Sequence, residues 1–65
     1  MKTGDYVELV SKEKSKRESY NWIAFEKFIP KKGDMFKVLR VTSDNYLLLE
    51  GLKYRHPVEK FLEVK

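Results

Sequence analysis

Lys32-Gly33-Asp34-Met35-Phe36-Lys37-Val38-Leu39-Arg40-Val41-Thr42-Ser43-Asp44-Asn45-Tyr46-Leu47-Leu48-Leu49-Glu50-Gly51-Leu52 (residues 32–52) carries two dense apolar runs, Met35 to Val41 and Tyr46 to Leu52. Ser43-Asp44-Asn45 separates them, which is the pattern of a β-hairpin. Val38 and Val41 are β-branched and Phe36 and Tyr46 aromatic, side chains that suit a pleated, half-buried surface. Gly33-Asp34 stands just ahead of the first run, where a turn must start it.

The same grammar occurs earlier. Gly4-Asp5 precedes Tyr6-Val7-Glu8-Leu9-Val10, which reads as a strand with Val7 and Leu9 on one face. Two such matches and no third mark two strand starts rather than a repeat architecture. After the hairpin, Gly51-Leu52-Lys53-Tyr54-Arg55-His56-Pro57 reads as a bend at Gly51 leading into a short strand. Pro57, with its fixed φ and no amide donor, suits the first position of a 3₁₀ turn over Val58-Glu59-Lys60-Phe61. Phe61, Leu62 and Val64 then supply a last strand. The chain is expected to form five short strands in one domain, residues 1–65.

The long connection after the first strand has two parts. Ser11 to Ser19 is almost wholly Lys, Glu, Ser and Arg, which is expected to be a mobile loop. Between Tyr20 and Ile29, Trp22, Phe25, Phe28 and Ile29 recur at helical spacing, with Ser19 or Asn21 available as a cap, so a short helix is expected. The competing reading is extended, with Ile23, Phe25 and Ile29 inward. Pro30 ends either one.

Sixty-five residues bury a thin core. With no cysteine and one histidine, neither disulfides nor a Cys/His zinc site can brace it, so packing among the nine aromatics and the aliphatics must. His56 lacks the partners of a metal site or a nucleophilic dyad. Asp5 and Asp34 follow glycines at strand starts, where Asp side chains bond nearby backbone. No catalytic constellation and no cofactor are expected. No apolar run opens the chain and none is long enough to span a membrane, so a cytoplasmic protein with no membrane partner is expected.

Net charge is +4, and its placement matters more than its size. Residues 1–10 carry −1, residues 11–32 carry +4 and residues 33–65 carry +1. The excess lies in the connecting segment, which points to a polyanionic partner. Lys12, Lys14, Lys16 and Arg17 are followed by Tyr20 and Trp22, cations for a phosphate backbone beside rings that can stack on bases. The alternative is a solvated loop, diluted by Glu13 and Glu18, with Trp22 closing one end of the core. Lys31 and Lys32 at the turn into the hairpin, and Tyr54 and Arg55 near its far end, could extend the same patch. Tyr46 to Leu49 breaks strict alternation, so at least one leucine is expected to face outward, beneath the segment from Tyr20 to Ile29 in preference to a self-association surface; a monomer is preferred over a dimer.

Gly4 to Val10, Lys32 to Val41, Tyr46 to Gly51 and Pro57 to Val64, in this order, resemble the small SH3-like β-barrel proteins of bacterial and phage genomes. The resemblance covers about half the chain. It implies a five-stranded, partly open barrel with a long first loop and a 3₁₀ turn before the last strand, and a binding module rather than an enzyme. Polyproline-binding SH3 domains carry an acidic first loop, whereas this one is basic, so polyproline is not the expected ligand. The Gly-Asp strand starts also resemble half of the KOW segment of ribosomal and transcription-factor barrels, a pointer to RNA or DNA. Nucleic acid is the leading expected partner, and a protein docked on the aromatic surface the second.

Overall fold

The computed structural model describes residues 1–64. Five strands occur in the order β1 (Tyr6–Leu9), β2 (Met35–Val41), β3 (Tyr46–Leu49), β4 (His56–Pro57) and β5 (Phe61–Val64). They form one antiparallel sheet with spatial order β4-β3-β2-β1-β5. β2 pairs with β1 through its first half and with β3 through its second. An irregularity between Val38 and Arg40 lets the strand bend from one partnership to the other.

The sheet is open, and no ladder joins its edges β4 and β5 among the described residues. It must nevertheless curl. Five flat strands would set the edges about 19 Å apart at the usual spacing, yet only the 3₁₀ turn Val58–Lys60 connects them, a span of at most about 14 Å. The rings of His56 and Phe61, one on each edge strand, lie 6.4 Å apart. The curl encloses a core of Val7, Leu9, Ile23, Val38, Leu47, Leu49 and Phe61, with Phe36, Val41, Leu52 and Val58 packed on it.

The hairpin forms where its apolar runs place it, although β3 stops at Leu49 rather than Leu52. Asn45 closes the turn at φ 62°, a left-handed conformation that Asn tolerates better than most residues. Thr42 accepts the Asn45 amide on its carbonyl (3.0 Å) and the Tyr46 amide on its hydroxyl (3.0 Å).

The two Gly-Asp strand starts are built alike. Asp5 accepts the Lys2 amide on its carboxylate (3.0 Å), and Asp34 accepts the Lys31 amide likewise (3.0 Å). Both glycines sit at φ 93°, which only glycine reaches without strain. Gly4 then donates to the Val38 carbonyl and Gly33 to the Leu9 carbonyl, both at 2.8 Å, so each start clamps one end of the β1–β2 pair.

The expectation for residues 20–29 is corrected. Between Tyr20 and Ile29 there is neither a helix with Trp22, Phe25, Phe28 and Ile29 on one face nor a strand with Ile23, Phe25 and Ile29 inward. There is one 3₁₀ turn, Trp22–Phe25, capped by the Asn21 side chain on the Ile23 amide (3.2 Å). With three residues per turn, Ile23 and Glu26 fall on one side, and these are the buried pair; Phe25, Phe28 and Ile29 are exposed. Residues 11–19 form a loop, as expected, with polar ties at both ends. Val10 and Ser11 donate to the Lys60 carbonyl (2.9 and 3.2 Å) and Glu18 is buried against the Lys60 ammonium, so polar pairing compensates for the missing apolar burial.

Candidate functional site

Folding separates the charges of residues 11–32 into an interior set and a surface set. Glu18, Glu26, His56 and Lys60 are all buried. Lys60 Nζ donates to Glu18 Oε2 at 3.2 Å and to Asn21 Oδ1 at 2.8 Å, and its ion-pair distance to Glu18 Oε1 is 2.9 Å. Glu18 Oε1 also accepts the Ser15 amide (2.7 Å). This meets the requirement that buried charge be paired and hydrogen-bonded.

Glu26 ties the 3₁₀ turn to the β3–β4 connection. Its carboxylate accepts the Lys53 amide (2.7 Å), the Tyr54 amide (2.9 Å) and His56 Nε2–H (2.7 Å). The last bond places the proton of neutral His56 on Nε2 and leaves Nδ1, buried and without a partner, as a bare acceptor. Burial of the imidazole is the largest influence on its titration and holds its pKa below the ordinary histidine value, against the opposing pull of Glu26.

The Glu26 anchor brings three rings together across thirty residues of chain. Trp22 stacks on Tyr54 at a centroid distance of 5.0 Å and an interplanar angle of 23°, and Tyr20 leans on Trp22 at 4.3 Å. Phe25 meets the edge of Tyr20 at 5.5 Å, and the Lys53 ammonium lies 5.5 Å from the Tyr54 ring. Tyr20 and Phe25 are about half exposed, whereas Trp22 and Tyr54 are half-buried. Tyr20, Trp22 and Tyr54, expected as site residues, thus form one platform, with Phe28 and Ile29 exposed three and four residues past Phe25.

The two arginines of the expected set are engaged elsewhere. Arg17 donates to Glu59 through Nε (3.0 Å) and one terminal nitrogen (2.7 Å), and to the carbonyls of Asp44 and Asn45. The bonded guanidinium holds the Glu59 carboxyl below its usual pKa. Arg17 also lies 4.3 Å from the Tyr46 ring centroid and Arg55 4.6 Å from it, and Arg55 reaches Asp44 at 3.7 Å. Arg17 therefore ties the long loop to the hairpin turn and Glu59, and Arg55 ties the β3–β4 connection to the same turn.

The lysines are differently placed. Lys14, Lys16, Lys27, Lys31 and Lys32 are exposed, Lys12 is half-buried, and none of the six has an ion-pair partner among the described residues. Of the three acids in the same segment, Glu18 and Glu26 are internal and only Glu13 faces solvent. The turn bearing Lys31 and Lys32 abuts the root of the loop, since Gly33 donates to the Leu9 carbonyl. Sequence reasoning counted Glu18 as a diluting surface charge and missed Glu26, His56 and Lys60 as a buried network. No local signal marks them, because Glu26 and Glu18 find their partners thirty and forty-two positions away.

Among the described residues there is no ligand-sized pocket, and no group of three His, Cys, Asp or Glu side chains could hold a metal ion. No described helix is long and apolar enough to cross a membrane. Comparison with protein-family models, with curated proteins and with solved structures finds no match.

Proposed function

We propose that this chain is a small non-enzymatic binding module of SH3-like build that holds nucleic acid on the segment from residue 11 to residue 32. The strand order and the three-residue link between edge strands support that architecture. The observation that carries the functional reading is the sorting of charge: six lysines stand at the surface against one acid, because the other two acids of the segment are internal. Lys12, Lys14, Lys16, Lys31 and Lys32 supply cations for phosphates, and Tyr20, with Phe25 beside it, offers a ring face to an unpaired base. Such a contact is worth roughly 1–3 kcal/mol per base. Trp22 and Tyr54 stack on each other and serve as the floor beneath Tyr20. Arg17 and Arg55 contribute to the fold rather than to the phosphate contacts.

The test is titration of labelled oligonucleotides, single-stranded and duplex, at several salt concentrations, with amide shifts followed in parallel. Neutralising three phosphates of a single strand lowers affinity about 20-fold between 50 and 200 mM salt, from the counterion-release slope. Absence of any amide shift in residues 11–32 at low salt overturns the proposal. The second reading, a protein partner, is favoured by Phe25, Phe28 and Ile29, which are 58%, 76% and 56% exposed. A partner seated on these side chains would bind with little dependence on salt.

A further inference from the structure

The outward face of the β5–β1–β2 half of the sheet is apolar where a solvated face would be polar. The register aligns Leu62, Glu8 and Met35 in one row across the three strands, and Val64, Tyr6 and Lys37 in the next. Leu62 is 63% exposed, Met35 61%, Tyr6 53% and Leu39, continuing the alternation of β2, 50%. No described segment covers them. The only charges in the two rows are Glu8 and Lys37, which stand on a diagonal, about 7–8 Å apart by sheet geometry, and neither has an ion-pair partner among the described residues.

We propose that this face pairs with a second copy of the chain about a two-fold axis lying along the Tyr6–Met35 diagonal. Rotation about that axis sets Tyr6 over Tyr6 and Met35 over Met35. It also exchanges the two charged corners, so that Glu8 of each copy meets Lys37 of the other, twice. An acid and a base at reciprocal positions in an apolar patch are what an isologous interface requires, and they argue for a copy of the same chain over an unrelated partner. An interface of about 600 Å² per protomer, at the low end for specific association, would cover roughly an eighth of the 4608 Å² surface. The dimer is accordingly weak, and it uses a face made of other residues than the lysine-bearing segment.

Sedimentation equilibrium from 10 µM to 1 mM tests this. The weight-average mass of the wild-type chain should rise with concentration from 7.8 kDa toward twice that value. Glu8→Lys and Lys37→Glu should each remain monomeric over the same range, because each sets like charges against each other at both corners. Both positions face outward on the sheet, and circular dichroism checks that each variant is folded. An equimolar mixture of these two variants should associate, since one then carries two bases and the other two acids at the exchanging corners. A wild-type mass that stays at the monomer value at 1 mM overturns the proposal. So does a mixture that fails to associate, or single variants that dimerise like the wild type.

Discussion

Glu26 holds the 3₁₀ turn to the β3–β4 connection, because three donors from residues 53–56 converge on it. Replacing it with alanine strands the Lys53 and Tyr54 amides and the His56 imidazole, each a buried or half-buried donor whose loss costs about 1–3 kcal/mol. Glu26→Ala should therefore lower the unfolding free energy by about 3 kcal/mol or more in urea, with a change in Trp22 fluorescence as the Tyr54 stack loosens. His56 adds a pH dependence. Its pKa is lower in the folded chain than in the unfolded one, chiefly through burial, with Glu26, Glu18, Lys60 and the Phe61 ring around it. The unfolded chain therefore takes up the proton first, near pH 6.5. Stability is full above that pH and falls as pH drops through the window below it. Asp44 and Glu59, whose pKa values are also lowered, act in the more acidic carboxylate range. Urea midpoints measured from pH 8 to pH 5 should decline for the wild type and stay nearly flat for His56→Gln.

At the scale of elements, the paired strand starts repeat one device at both ends of β1–β2. A Cβ at Gly4 or Gly33 meets no atom within 4 Å, so the cost of substitution is conformational alone. Gly33→Ala and Gly4→Ala should each lose about 1–2 kcal/mol, the penalty of a left-handed backbone for a residue with a side chain, and the losses should add because the sites are far apart. The buried ion pair behaves otherwise. Lys60→Met leaves Glu18 charged and alone in the interior and should cost about 3–5 kcal/mol, whereas the double variant Glu18→Leu/Lys60→Met should recover a large part of that loss. Thermal or urea unfolding of the four chains of this cycle decides the point. The strand starts were legible because glycine and aspartate do local work there. Trp22 to Ile29 was misread because its aromatic spacing mimics a helical face, while the face that is buried belongs to Ile23 and Glu26.

For the whole molecule, charge sorting outweighs net charge. The +4 of the chain understates the field over residues 11–32, where burial of Glu18 and Glu26 leaves lysines with a single acid among them. If Lys14 and Lys16 contact phosphates, each change to alanine should flatten the dependence of log affinity on log salt by about one unit. Arg17→Ala should instead loosen the loop, read as faster hydrogen exchange at the Glu18 amide, because that guanidinium is bound to Glu59 and two carbonyls. The curl of the sheet follows from the same long-range economy: a three-residue link between edge strands forces the two edges toward each other.

The strands, the hairpin turn, both Gly-Asp starts and the 3₁₀ turn after Pro57 were determined by the sequence, since each depends on alternation, φ preference or a side chain bonding backbone within a few residues. Which charges lie inside, which rings meet and which sheet face stays bare were decided only in three dimensions. Glu18 finds Lys60 across forty-two positions and Glu26 finds His56 across thirty. No local pattern distinguishes an acid with such a partner from one left in water.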